Sequence, residues 1–222
     1  MKSFAELRDM AVARKGEAAL AAHMPTPPET PLADLSDDRL LAIFTRCIFQ
    51  AGFSWKVIET KWPGFEAAFH GFDIGRNAMM SDDDLDRHLA NKEIVRNAQK
   101  ILAIRDNAIF LSDLAREHGT SAVQVIALWP RTDTIGLFDL LKSRGARLGG
   151  ATGQYALRLA GFGNFILSQS VVAALNMAGV IDGAATSKAA QKKVQAAFNA
   201  WAEESGRSQA EISRTLAFAV PD

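Results

Sequence analysis

Leu137–Gly161, LFDLLKSRGARLGGATGQYALRLAG, reads as two helices joined by a glycine turn. One helix ends near Arg144–Gly145, a short turn carries Gly149–Gly150, and a second helix opens at Ala151–Thr152. Glycine takes positive φ and lets another chain come close, and free N–H groups at a helix start bind anions. With Lys142, Arg144 and Arg147 beside it, the turn can grip a phosphate. The same residues also suit an ordinary helical hairpin with a glycine cap, and pattern alone leaves both readings open.

Outward from this hairpin the periods are helical. Residues 3–22 form an amphipathic helix that ends at HMPTPPETPLADLS, a linker whose prolines forbid helix because the ring fixes φ and removes an N–H. Ser36 or Asp37 caps the next helix, with Leu40, Leu41, Phe44, Cys47 and Ile48 on its apolar face and Gly52 stopping it. Ser54 caps a new start at Trp55. Ser81 followed by three aspartates sets acids on a helix N-terminus, where the macrodipole favours them. From Ile94 to about Leu114 apolar residues recur at three and four, which predicts one long buried helix. Further helices are predicted at about 121–129, 134–144, 151–160, 169–178, 187–203 and 208–218. No run alternates with period two, so the expected fold is all-α.

The bounds agree with a packed body. At 222 residues and 48% hydrophobic content the chain can bury a full core. Lys+Arg 25 balances Asp+Glu 25, so any nucleic-acid affinity must come from a local basic patch. A single cysteine excludes an internal disulfide framework, and His23, His70, His88 and His118 have no zinc-finger spacing. No stretch approaches the 18 or so apolar residues of a membrane span, and the N-terminus lacks an apolar signal core. The expectation is a soluble, cytoplasmic protein without membrane partners.

Cys47–Trp55, CIFQAGFSW, then poses a question: a large aromatic ring stands where an apolar helix breaks and restarts. A core explains it, and so does a pocket for a flat ligand. The order FQAGFSW, ETKWPGFEAAFHGFD, MMSDDDLDRHL, EIVRNAQKILAIRDNA and SRGARLGGATGQYAL resembles the DNA-3-methyladenine glycosylase I family, within the helix-hairpin-helix DNA glycosylases. The likeness covers roughly residues 38–182. It is densest from Phe49 to Ala108, where Gln50, Ala51, Gly52, Ser54, Trp55, Lys61, Phe69, Phe72, Asp73, Ile94, Arg96, Asn97, Lys100, Ile101, Asn107 and Ala108 keep the family's spacing without a gap.

The resemblance implies an all-α, helix-hairpin-helix DNA repair enzyme that flips an alkylated base, 3-methyladenine above all, and hydrolyses its N-glycosidic bond. It assigns Trp55 to one wall of the base pocket, with Ser54, Cys47 and Ser168 at substrate-binding positions. Phe49 and Phe53 are expected in the core. The hairpin residues Gly149, Gly150, Thr152 and Arg147, together with Lys100 and Arg96, are expected to hold DNA; Lys61 and Arg158 are candidates of the same kind, and all four of Lys61, Arg96, Lys100 and Arg158 also suit simple surface charges.

The chain also departs from the family. Cys47 stands where the resemblance implies a glutamate that tests the flipped base, and a thiol is a poor acceptor. Ser168 stands where the wider superfamily implies a catalytic aspartate, so no catalytic residue is assigned. Members clamp their termini with a zinc held by two Cys and two His, but Ser170 occupies one histidine position and the other ligands are missing; the expectation is no metal and no cofactor. The alternative is a non-catalytic damaged-DNA-binding protein, or a glycosylase for a different lesion. The expected organisation is an N-terminal helix and linker over 1–35, a glycosylase-like body over 36–182 with its hairpin at about 144–152, and a C-terminal extension over 183–222, in a monomer. That extension carries Val194, Ala197, Phe198 and Trp201 on one stripe and is read as packing in place of the zinc clamp.

Overall fold

The structure is a computed structural model that describes residues 1–221. Thirteen α-helices and three single 3₁₀ turns, with no strand, make up the regular structure of the described residues. In chain order the helices are α1 (Phe4–Lys15), α2 (Glu17–Ala22), α3 (Asp37–Gln50), α4 (Trp55–Ala68), α5 (Ile74–Ala78), α6 (Asp82–Ala90) and α7 (Ala98–His118). They continue with α8 (Ala122–Ala127), α9 (Thr134–Arg144), α10 (Ala151–Ala160), α11 (Gln169–Met177), α12 (Lys188–Ser205) and α13 (Gln209–Ala219).

Local chemistry fixes most of the boundaries. Ser36 caps α3, Ser81 and Asp84 form a capping box on α6, and Ser208 and Glu211 form another on α13. Two expectations need correction. The helix expected over 3–22 breaks at Gly16, whose φ of 84° lies outside helical space, so α1 and α2 are separate. The helix expected from Ile94 starts at Ala98 instead, because the Asn97 side chain accepts from Lys100 N–H and holds its own backbone extended.

The chain divides into two compact units, and the division falls within α9. One unit comprises Met1–Pro28, Pro130–Leu137 and the chain from Gly163 onward. In it α1 packs along α13, and Ala11, Leu20 and Ala219 form a small core with Met10, Val12, Met24, Met177 and Phe218. The carboxylate of Glu204 accepts from the N–H groups of Phe4 (3.0 Å) and Ala5 (3.3 Å), while Trp201 Nε1 donates to the Lys2 carbonyl at 3.1 Å. The two terminal segments are thus tied by charge-assisted hydrogen bonds at the start of α1, where the helix leaves N–H groups unpaired.

The other unit comprises Glu29–Trp129 and Phe138–Phe162. Here α3 packs between α7 and α10, and α5, α6 and α8 rest on α7. Asp37 ties α8 to α3 by accepting from Ala122 N (3.0 Å) and Val123 N (2.8 Å). Phe44, Phe49, Phe65, Phe69 and Phe72 are fully buried in this unit.

Candidate nucleic-acid and base site

The site is built from the end of α3, the start of α4, one face of α7 and the α9–α10 hairpin, all in the second unit. α3 ends at Gln50, and Gly52 at φ 96° reverses the chain towards Ser54 and Trp55. α4 is anchored by the buried Ile58 and Phe65, the latter edge-on to Phe49 with ring centres 4.7 Å apart. Trp62 stacks on Phe65 and Phe72, donates its Nε1–H to Glu66 at 2.9 Å, and carries the Arg46 guanidinium 4.3 Å from its ring centre. Glu66 in turn pairs with Arg39, which also donates to the Gly71 carbonyl.

On that rigid base Trp55 is left in the open: 63% of it is exposed. A tryptophan filling the core behind Gly52 would be buried, as Phe49 is; the ring instead offers a free aromatic face. Phe53, expected in the core, is 37% exposed and lies over the Lys100 ammonium, its ring centre 4.6 Å away. Ser54 occupies the N-cap position of α4, but its side chain makes no cap hydrogen bond.

Cys47 is buried on α3, and desolvation pushes its thiol up to about 11, against the opposing pull of the Arg46 charge. It is therefore a neutral thiol near pH 7 and no nucleophile. Ser168 lies in the other unit, where it caps α11 by accepting from Val171 N at 3.3 Å.

The hairpin adds a second element. α10 opens at Gly150 (φ 61°, ψ −139°) with no side-chain cap, so its first N–H groups have no partner from their own helix. Gly149, Gly150 and Arg147 are exposed and Thr152 is half-buried. A Cβ on Gly150 would meet nothing within 4 Å, whereas one on Gly153 would strike the Leu148 carbonyl. The two glycines thus do different things: Gly150 leaves room, and Gly153 lets the turn close on α10. The turn is held by Asn107, fully buried, which donates to the Ala146 carbonyl (3.0 Å) and accepts from its N–H (2.9 Å). Arg147 donates to Gln99 and keeps a positive φ of 59°.

The basic residues singled out in the sequence separate by position. Arg96 is exposed and makes no ion pair among the described residues. Lys61 donates to the Lys92 carbonyl at 2.6 Å. Lys100, placed among the DNA contacts by the sequence reading, points inward: it is 7% exposed and its Nζ donates to the carbonyls of Ile48, Phe49 and Ala51. Asn107, Gln99, Trp62 and Arg46 were not singled out as site residues; only their partners, 16 to 48 residues away in sequence, reveal them.

A zinc clamp does not fit this chain. Its only cysteine is the buried Cys47, and no group of three His, Cys, Asp or Glu among the described residues is placed to hold a metal ion. No helix among the described residues is long and apolar enough to cross a membrane.

An all-α unit that presents an uncapped glycine hairpin and an exposed tryptophan has the features that the resemblance to helix-hairpin-helix DNA glycosylases implies. The methyladenine glycosylase family model matches residues 31–135, just under half of the chain. The chain is 39% identical over 59 residues to DNA-3-methyladenine glycosylase 1 of Escherichia coli and 37% identical over 59 residues to DNA-3-methyladenine glycosylase of Haemophilus influenzae. Those matches cover 27% of this chain and 32% of each relative, so the chain aligns with about a third of their length. A crystal structure of 3-methyladenine DNA glycosylase I superposes with a TM-score of 0.50 at 27% identity, over 65% of this chain and 87% of that one. The Staphylococcus aureus enzyme, solved to describe 3-methyladenine recognition, shares the fold with a TM-score of 0.53 at 24% identity, over 70% of this chain and 91% of that one.

Proposed function

We propose that this chain is a DNA glycosylase that flips alkylated bases out of DNA and releases them by hydrolysis, with 3-methyladenine as its principal substrate. The exposed ring of Trp55, on a helix anchored by stacked aromatics, is the observation that carries this reading. Unstacking a base costs a few kcal/mol, and stacking on an aromatic side chain returns part of it. Methylation at N3 makes adenine cationic, and a cation over a π-face gains roughly a further 0.5–2 kcal/mol, which separates it from normal adenine. The same charge makes it a good leaving group. Water adds at the sugar carbon and gives up a proton to solvent, while the N-glycosidic bond breaks and its electron pair leaves with the base as neutral 3-methyladenine.

Around the flipped base, the N–H groups at Gly150, Ala151 and Thr152 receive a backbone phosphate, with Arg147 in the same turn and the exposed Arg96 as a further cation for DNA. The resemblance implies substrate positions at Ser54 and Cys47, in the same unit as Trp55, and at Ser168. The protein acts as a cytoplasmic monomer without metal or cofactor, its termini tied through Glu204 and Trp201 instead of a zinc.

A second reading, binding of damaged DNA without excision, is favoured by one observation: Cys47 and Ser168 supply no carboxylate where the resemblance implies two. Incubating the protein with methylated DNA and identifying the free bases by chromatography separates the readings. Release of 3-methyladenine supports the enzyme; damage-selective binding with no release supports the sensor.

A further inference from the structure

The inward ammonium of Lys100 sits at the end of α3, where the helix leaves carbonyls without intrahelical partners and its dipole is negative. An ammonium has three N–H donors, and the three carbonyls reached are those of Ala51 at 2.6 Å, Ile48 at 2.7 Å and Phe49 at 3.4 Å. Phe49 and Phe53 enclose it, their ring centres 5.6 and 4.6 Å away. Nothing remains for a phosphate. Burial, and to a lesser degree the Arg147 charge, lowers its pKa, as expected for a cation withdrawn from water.

The turn that Lys100 holds is otherwise loosely tied. Nothing stands within 4 Å of where a Gly52 Cβ would be, and the Ser54 side chain makes no cap to α4. Trp55 follows directly, and at 63% exposure burial does not place its ring.

We propose that Lys100 is a positioning residue for Trp55: by closing the end of α3 it fixes the Ala51–Ser54 turn, and so holds the indole ready for a flipped base without touching DNA. This rests on the glycosylase reading for its effect on catalysis, but not for its effect on the turn. A seated indole is needed only once the base has left the stack, so losing Lys100 should lower kcat far more than it raises KM.

The test compares wild type with Lys100→Met, which keeps the stem and removes the charge, and Lys100→Arg, which keeps the charge but cannot place three donors on one point. Both variants should exchange the amide hydrogens of residues 51–55 at least tenfold faster, with α10 unchanged. Both should lower kcat for 3-methyladenine release about tenfold or more with KM within twofold. Binding of undamaged duplex across a salt series should keep its slope. A phosphate contact predicts the reverse: the slope falls by about 0.9 in Lys100→Met, Lys100→Arg behaves as wild type, and exchange in the turn is unchanged. That result overturns the proposal. If wild type releases no base, the glycosylase reading fails, while the exchange data still decide whether Lys100 holds the turn. Should neither variant fold, the ¹⁵N signal of the Lys100 ammonium in wild type decides: undamaged duplex leaves it in place if the ammonium stays on the carbonyls and shifts it if a phosphate takes over.

Discussion

Lys100 and Asn107 stand seven residues apart on α7, two turns of one helix, so their side chains leave from the same side. Lys100 ends on the carbonyls at the close of α3, and Asn107 pairs with both backbone groups of Ala146 in the hairpin turn. One helix face therefore sets two parts of the site that lie about a hundred residues apart in sequence: the approach to Trp55 and the approach to Gly150.

Asn107→Ala leaves the Ala146 N–H and C=O without their partners and opens a small cavity at a fully buried position. Lost hydrogen bonds of this kind cost about 1–3 kcal/mol. The expected result is a loss of about 2 kcal/mol in urea unfolding, with weaker duplex binding in the surviving folded protein because the hairpin turn is released. Wild-type stability and affinity in this variant would mean that the Asn107 clamp holds nothing in solution.

The two hairpin glycines should respond differently. Gly153→Ala pushes a methyl group into the Leu148 carbonyl and should cost about 1–3 kcal/mol through overpacking. Gly150→Asp meets no atom but places a side chain at φ 61°, so it should cost about 1–3 kcal/mol through backbone strain. The protein that stays folded by circular dichroism should bind every DNA sequence more weakly alike by like-charge repulsion. Unchanged duplex binding by folded Gly150→Asp would return the turn to an ordinary helical connection.

Much of this organisation was legible in the sequence, and what was not is physically specific. The α9–α10 hairpin fell where the glycines put it, because a helix stop and start is local chemistry. Caps at Ser36 and Ser81 were readable for the same reason. α5 was missed: it is five residues long, contains Gly75, and is held by Asp73 at its start and by Asp38 accepting from Ile74 N at 3.0 Å, a residue 36 positions away. Lys100 was misread for a related reason. On a helix with its neighbours it reads as a surface cation, and only α3, some 50 residues earlier, turns it inward. Trp55 was readable as an aromatic at a helix break, which local pattern leaves open between core and pocket and the resemblance assigns to a pocket wall; its exposure is a tertiary property that only the fold shows.

Acid should destabilise the protein in two steps. His88 is half-buried against Phe69, ring centres 4.5 Å apart, and burial lowers its pKa, with Asp84 opposing and the His70 and Arg87 charges assisting. A depressed histidine pKa means the unfolded chain takes up the proton first, so stability is full above about 6.5 and falls as pH drops below it. Asp84, held at about 2 by hydrogen bonds from Ser81 and by Arg87, gives a second loss below the usual carboxylate range. Thermal unfolding at pH 8, 5.5 and 3 checks this: His88→Phe should flatten the first step and leave the second. A first step that survives in His88→Phe assigns it to another group.

The termini should be insensitive to chelation and sensitive to Glu204. Chelator is expected to leave Tm unchanged, and elemental analysis to find no stoichiometric zinc. Glu204→Ala frees two N–H groups at the start of α1 and should cost about 1 kcal/mol or somewhat more, as lost helix caps do. One zinc per chain, or a Tm that falls in chelator, would contradict the zinc-free clamp.

Stacking of a cationic base on Trp55 is the claim on which the account turns, and the rate of 3-methyladenine release by wild type and Trp55→Ala from methylated duplex DNA tests it most directly. Base–aromatic stacking worth roughly 1–3 kcal/mol predicts that release falls about ten- to a hundredfold, while Cys47→Ala changes it little. A Trp55→Ala protein that stays folded and releases 3-methyladenine at the wild-type rate would contradict the account.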